Sequence, residues 1–171
     1  SDVYKRQDHG LAIYSAHIPL DVHPELGNNS RLIDALGFSS SAEPFAPWRG
    51  IQMGLRAKVD LSLGELISAV EAATGEKAHC CPGGPGQVNQ VGVVTGGAGS
   101  QIYEMAETGI DTFITGEGPH WSFTAAEELG INLIYGGHYA TETFGVKALA
   151  RRWCDSNDGL SWSFIDHPTG L

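Results

Sequence analysis

Three short apolar runs in the second half of the chain constrain its fold more than any other feature. They are "QVGVVTG" (90–96), "DTFITG" (111–116) and "INLIYGG" (131–137). Each ends on glycine and leads into a segment with helical spacing, at about 100–107, 119–129 and 141–153. Strands separated by helix-length connections cannot pair as hairpins, so they are predicted to lie parallel with helices against the sheet. The expected class is α/β, with mixed, largely parallel sheets flanked by helices.

The first half extends the pattern. "GLAIYSAH" (10–17) reads as a strand ending near His17, and "IPLDVHPELGNN" as a loop punctuated by Pro19, Pro24 and Gly27. A short helix is expected over Ser30–Leu36, a flexible connection over 39–48, and a strand over 50–59. Ser62 followed by Glu65 forms a capping box ahead of apolar positions Leu63, Leu66, Ile67, Val70 and Ala73, and Gly75 ends that helix. "KAHCCPGGPG" (77–86) reads as a short strand running into a turn, and "LSWSFID" (160–166) as a last strand.

Charge narrows the range of functions. Twenty acidic against 10 basic residues leave a net charge of −10, which opposes nonspecific nucleic-acid binding because that depends on Lys and Arg meeting phosphates. Nothing approaches the roughly 18 apolar residues of a bilayer span, and the N-terminus "SDVYKRQDHG" has no apolar signal-peptide core. Cys80, Cys81 and Cys154 are odd in number and are read as reduced thiols, with the vicinal pair at a buried strand end rather than on a soft metal. A cytoplasmic protein without a membrane partner is expected.

In a parallel sheet, ligands bind beyond the carboxyl ends of the strands, and the chemically versatile residues gather at those ends. His138 and Glu142 stand where a loop enters a helix; imidazole with carboxylate suits Zn, Fe, Mn or Ni. Read plainly, Thr141 is an N-cap, Glu142 a first-turn acid and His138 a solvated loop residue. "HIPLDVH" places His17, Asp21 and His23 within seven residues on a proline-stiffened loop; the plain alternative is a turn closed by Asp21 on its own backbone. Glu117 and His120 in "ITGEGPHW" follow an apolar strand, where catalytic groups and ordinary turn residues both occur. "TGGAGS" (95–100) could cradle an anion, but it lacks GxGxxG spacing and reads better as a tight turn.

Together, "AHIPLDVHPELGNN", "GGAG", "DTFITGE" and "GHYATETFGVKAL" resemble, in this order, the GTP cyclohydrolase 1 type 2 homologues, the Nif-three-like family of dinuclear metal proteins. The similarity runs from Gly10 to about Phe164. It implies a Nif-three-like α/β fold, a cytoplasmic toroidal hexamer, and two divalent metal ions per subunit. Carried over by residue, it implies Asp21 as a bridging-type ligand, with His138 and Glu142 as C-terminal ligands. His17, Glu117 and His120 are implied as polar residues around the metals, with His17 counted among the metal-binding residues; under a hydrolase reading, Glu117 or His120 is the expected proton-transfer partner.

The chain departs from the family pattern in one respect. An adjacent His-His pair is expected well ahead of the H-x-P-L-D block, whereas only sixteen residues precede His17 and no such pair exists. The resulting expectation is an N-terminally truncated member: 1–9 a non-native junction segment, 10–171 the α/β domain with its first part missing, and fewer than two ions held. The function implied is a metal-dependent hydrolase, cyclohydrolase- or phosphoesterase-like, acting on a nucleotide-like or phosphorylated substrate. The alternatives are a non-catalytic metal-binding scaffold or regulatory hexamer, and a metal-free nucleotide binder using "TGGAGS".

Overall fold

A computed structural model describes residues 2–168. Its helices are α1 (Asp2–Asp8), α2 (Ile18–Asp21), α3 (Asn28–Ala35), α4 (Leu63–Thr74), α5 (Ile102–Ala106), α6 (Trp121–Leu129) and α7 (His138–Ser156). Its strands are β1 (Glu43–Trp48), β2 (Ile51–Ser62), β3 (His79–Pro82), β4 (Gln87–Val93), β5 (Thr112–Thr115) and β6 (Asn132–Tyr135). The strands form one mixed sheet in the order β1-β2-β4-β5-β6-β3. Its parallel part is β4-β5-β6; β1, β2 and β3 pair antiparallel.

Helices cover both faces of this parallel block. Phe113 and Leu133 join Ile102, Met105, Ala125 and Ala126 beneath α5 and α6. Ile114 and Ile134, the next residues along the same strands, point the other way into Leu32, Ile33, Leu66 and Val70 of α3 and α4. Burial on both faces explains why β5 and β6 read as continuous apolar runs rather than as an alternation. Helix α4 starts at the capping box, with Ser62 Oγ accepting from the Glu65 amide, and ends at Gly75 with φ +76°.

Several expectations are corrected. Residues 10–17 form no strand among the described residues and join no strand of the sheet, and Leu11, Ile13 and Tyr14 stay exposed. An apolar alternation becomes a strand only where it packs and pairs with a neighbouring strand. For the same reason 160–166 runs without strand pairing. Conversely, 43–48, expected as a flexible connection, is the edge strand β1. Its prolines Pro44 and Pro47 suggest a loop, but an edge strand tolerates them. Arg49 and Gly50, with φ +48° and +84°, close the β1–β2 hairpin through a turn with two positive-φ centres. Helix α7 begins at His138 rather than near Thr141, which changes the geometry of the site.

Candidate metal centre

Because β4, β5 and β6 are parallel neighbours, the loops leaving their carboxyl ends lie side by side. The amides of Gly116 and Glu117 donate to Gly96 O at 2.8 and 3.0 Å, and the Gly137 amide donates to Gly116 O at 3.0 Å. Three loops are thus stitched into one floor. The fit needs small residues: a Cβ on Gly116 would come within 2.6 Å of His138 Cα. Buried Thr141 adds a further tie, its hydroxyl accepting from the Gly96 amide at 3.1 Å and donating to Gly137 O.

His138 and Glu142 are i and i+4 on the first turns of α7 and share a face. His138 Nε2 lies 3.4 Å from Glu142 Oε1, and its Nδ1 lies 2.8 Å from Glu117 Oε1. Helix α2, with Pro19 in its first turn, brings two more groups from the other end of the sequence. Among the described residues, His17, Asp21 and Glu142 form a group whose ligand atoms all lie within 4.8 Å of one another. The cluster is therefore a chain, Glu117–His138–Glu142, with His17 and Asp21 converging on its last member.

The electrostatics follow from this crowding. Burial opposes a charge on His138, but the Glu117 hydrogen bond and the Glu142 and Glu117 carboxylates outweigh it, so its pKa stands above the ordinary 6.5. Burial also raises the Glu142 pKa above 4.5, and the Asp21 carboxylate pushes the same way; His138 and His17 oppose them. Both shifts come from the same crowding of acids, which a bound cation would relieve.

The residues present fit a divalent ion. One imidazole and two carboxylates suit a borderline transition metal. Ligand atoms about 2.0–2.2 Å from a shared ion lie roughly 3–4 Å apart, so small side-chain adjustments would close this cluster. Gly96, at φ +74°, leaves the space clear: a Cβ there would collide with Glu142 Oε1 and lie 3.3 Å from His138 Nε2. Glu117 holds Nδ1 of His138 and leaves Nε2 facing Glu142, the arrangement in which a carboxylate orients a metal-binding imidazole.

The other candidates fall elsewhere. His120 is the exposed N-cap of α6, with no side-chain hydrogen bond among the described residues. His23 is used as a turn cap, its Nδ1 accepting from the amides of Glu25 and Leu26 at 3.1 Å each. The "TGGAGS" amides are largely spoken for: Gly96 donates to Thr141, Ala98 to Thr115 and Gly99 to Glu117 O, which removes the anion cradle. Cys81 is buried, with its thiol on Phe123 O at 3.1 Å, as a strand-end reading requires.

Sequence reasoning missed Asn28 and Asn29. Both are buried; Asn28 Nδ2 donates to Asp21 Oδ1 at 2.7 Å, and Asn29 Nδ2 to Asp21 O at 3.1 Å. The available signal was the pair itself, since two adjacent asparagines opening a helix must find buried partners or remain exposed.

The family model described as Duf34/NIF3 (NGG1p interacting factor 3) matches residues 3–169. The Deinococcus radiodurans protein named GTP cyclohydrolase 1 type 2 homolog is 40% identical over 163 residues, covering 94% of this chain and 61% of that protein. Its Escherichia coli namesake is 40% identical over 161 residues, covering 92% and 62%. The chain thus spans about three-fifths of the length of these curated relatives. The crystal structure of TTHA1606 from Thermus thermophilus superposes with a TM-score of 0.82 at 37% identity, over 99% of this chain and 66% of that one. Reduced HcgD from Methanocaldococcus jannaschii shares the fold, with a TM-score of 0.77 at 24% identity over 91% and 61% of the two chains. With the family model matching almost end to end, and these relatives agreeing at about 40% identity, the chain belongs to the Duf34/NIF3 family.

Proposed function

We propose that this protein binds a divalent transition metal, Zn, Fe, Mn or Ni, through His17, Asp21 and Glu142, with His138 beside them, and serves metal-dependent hydrolysis. The observation that carries the reading is the convergence of His17 and Asp21 on Glu142, more than a hundred residues away in sequence. Relatives named GTP cyclohydrolase 1 type 2 homolog support a nucleotide-like or phosphorylated substrate.

A bound divalent ion would supply Lewis acidity and lower the pKa of a bound water. The chain's own groups do the rest. Glu117 orients His138 through Nδ1. Glu117 is half-exposed and can also relay a proton from the same carboxylate. His120, the exposed N-cap of α6, follows Glu117 by three residues, where a substrate rather than the cluster would meet it. Acids and imidazoles dominate the cluster, so an anionic substrate would depend on the metal for its positive partner.

A toroidal hexamer with two ions per subunit and a cytoplasmic location complete the proposal for the whole protein. Among the described residues, no helix is long and apolar enough to cross a membrane. The test is elemental analysis with light-scattering mass, followed by turnover of nucleotide and phosphoester substrates by the metal-loaded protein. Specific metal with turnover lost in Glu117→Gln upholds the hydrolase. Specific metal without turnover favours the scaffold alternative, and no specific metal defeats both.

A further inference from the structure

We infer that Asn28 is a positioning residue for this site: its amide ties Asp21 to the helix that carries His138 and Glu142. The inference rests on the metal reading above and goes further, assigning a role to a residue outside the ligand set. Asn28 is 4% exposed and opens α3, the helix that follows α2, and lies more than a hundred residues from α7 in sequence. Its Nδ2 donates to Asp21 Oδ1 at 2.7 Å, and its Oδ1 accepts from the Gly145 amide of α7 at 2.6 Å. The orientation of the amide is forced. The atom of Gly145 that meets Asn28 is its N–H, so the Asn28 oxygen faces it, and the NH2 group then faces the Asp21 carboxylate.

The bridge has three consequences. It engages Oδ1 of Asp21, the carboxylate that also offers an oxygen to the cluster. It joins the α2 ligand to α7 through one rigid side chain, so Asp21 and Glu142 are held in register before any ion arrives. It also favours a bare residue 145: a Cβ there would sit 3.0 Å from both Asn28 Oδ1 and Leu20 Cγ, so both side chains would have to give way. Leu20 is the neighbour of Asp21 on α2, so the close approach of α7 serves the ligand pair directly. Asn29 secures the main chain of the same residue, donating to Asp21 O and Met53 O while accepting from the Thr95 amide at 2.9 Å. Asn28 is the one of the two whose side chain reaches the ligand's side chain.

The test is Mn2+ titration calorimetry and Co2+ absorption on the wild-type chain, on Asn28→Asp and on Gly145→Ala, with the folded fraction of each checked by circular dichroism. Asn28→Asp keeps the shape but turns the donor toward Asp21 into an acceptor; Gly145→Ala keeps every ligand and Asn28 itself but displaces the bridge. The expected result is Mn2+ affinity about 10–100-fold weaker in Asn28→Asp, the range for loss of a ligand-orienting partner, and a smaller loss in Gly145→Ala. At saturating Co2+ both variants should show shifted ligand-field bands, which a change in folded fraction alone cannot produce. If Asn28→Asp does not fold, Gly145→Ala decides. Variants within twofold of wild type, with unchanged bands, overturn the role of Asn28 and leave the metal site standing. A wild-type chain that binds no Mn2+ defeats the metal reading, and this inference with it.

Discussion

Glu117 Oε1 lies 2.8 Å from His138 Nδ1, so a carboxylate at the end of β5 holds the ring that opens α7. This contact sets the tautomer of His138 and raises its affinity for a proton. Replacing the carboxylate by an amide keeps the shape and removes the charge. In Glu117→Gln, NMR titration in chelator should show the His138 pKa falling from its wild-type position above 6.5. An unchanged value would mean that Glu117 does not control the ring.

The same shifts fix the pH dependence of the metal-free fold. His138 titrates higher in the folded chain, so its contribution is fully present below pH 6.5 and is lost as pH rises through its folded pKa. Glu142 is also raised; the unfolded chain therefore releases this proton first, and stability falls as pH rises from 4.5 through the folded pKa. Both effects have one sign. In EDTA, the urea midpoint should decline across that window, and His138→Gln with Glu142→Gln should flatten the decline. Metal affinity should run the other way, rising with pH as the protons leave.

Gly96 and Gly109 offer a paired test of the site floor. Both have positive φ, +74° and +80°, so an added Cβ costs each roughly 1–2 kcal/mol of backbone strain. Only Gly96 has a neighbour in the way, the Glu142 carboxylate; nothing lies within 4 Å at Gly109. Gly109→Ala should lose stability alone. Gly96→Ala should lose stability and metal affinity together, as read by urea unfolding and calorimetry.

Ser62→Ala tests the fold away from the site. Ser62 and Glu65 form a reciprocal capping box at the start of α4, which packs Leu66 and Val70 onto the sheet. Its loss should cost about 1 kcal/mol, lowering the thermal midpoint by roughly 2–4 °C for a domain of this size. Metal affinity should not change.

Local chemistry alone determined much of this protein. The buried end of β4, the buried strands β5 and β6 and the helices between them were legible because a strand covered on both faces is mostly apolar. Helix α4 was legible from its cap and its terminal glycine. The individual donors His17, Asp21, His138 and Glu142 could be picked out as residue types at strand and helix ends, and the resemblance of their motifs to one family sharpened the choice.

Tertiary structure decided the rest, because it turns on partners distant in sequence. Residues 10–17 have a strand-like pattern but join neither edge of the sheet, whereas proline-bearing 43–48 pairs with β2. The start of α7 at His138, which puts His138 and Glu142 on one face, depends on the loop bonds of Gly116 and Gly137. His17 and Asp21 meet Glu142 only because α2 packs against α7. That packing is tight at Gly145, where a Cβ would press on Leu20 and Asn28, and Asn28 bridges the gap. A pattern in sequence records what each residue can do; which groups share one point in space depends on how the elements pack.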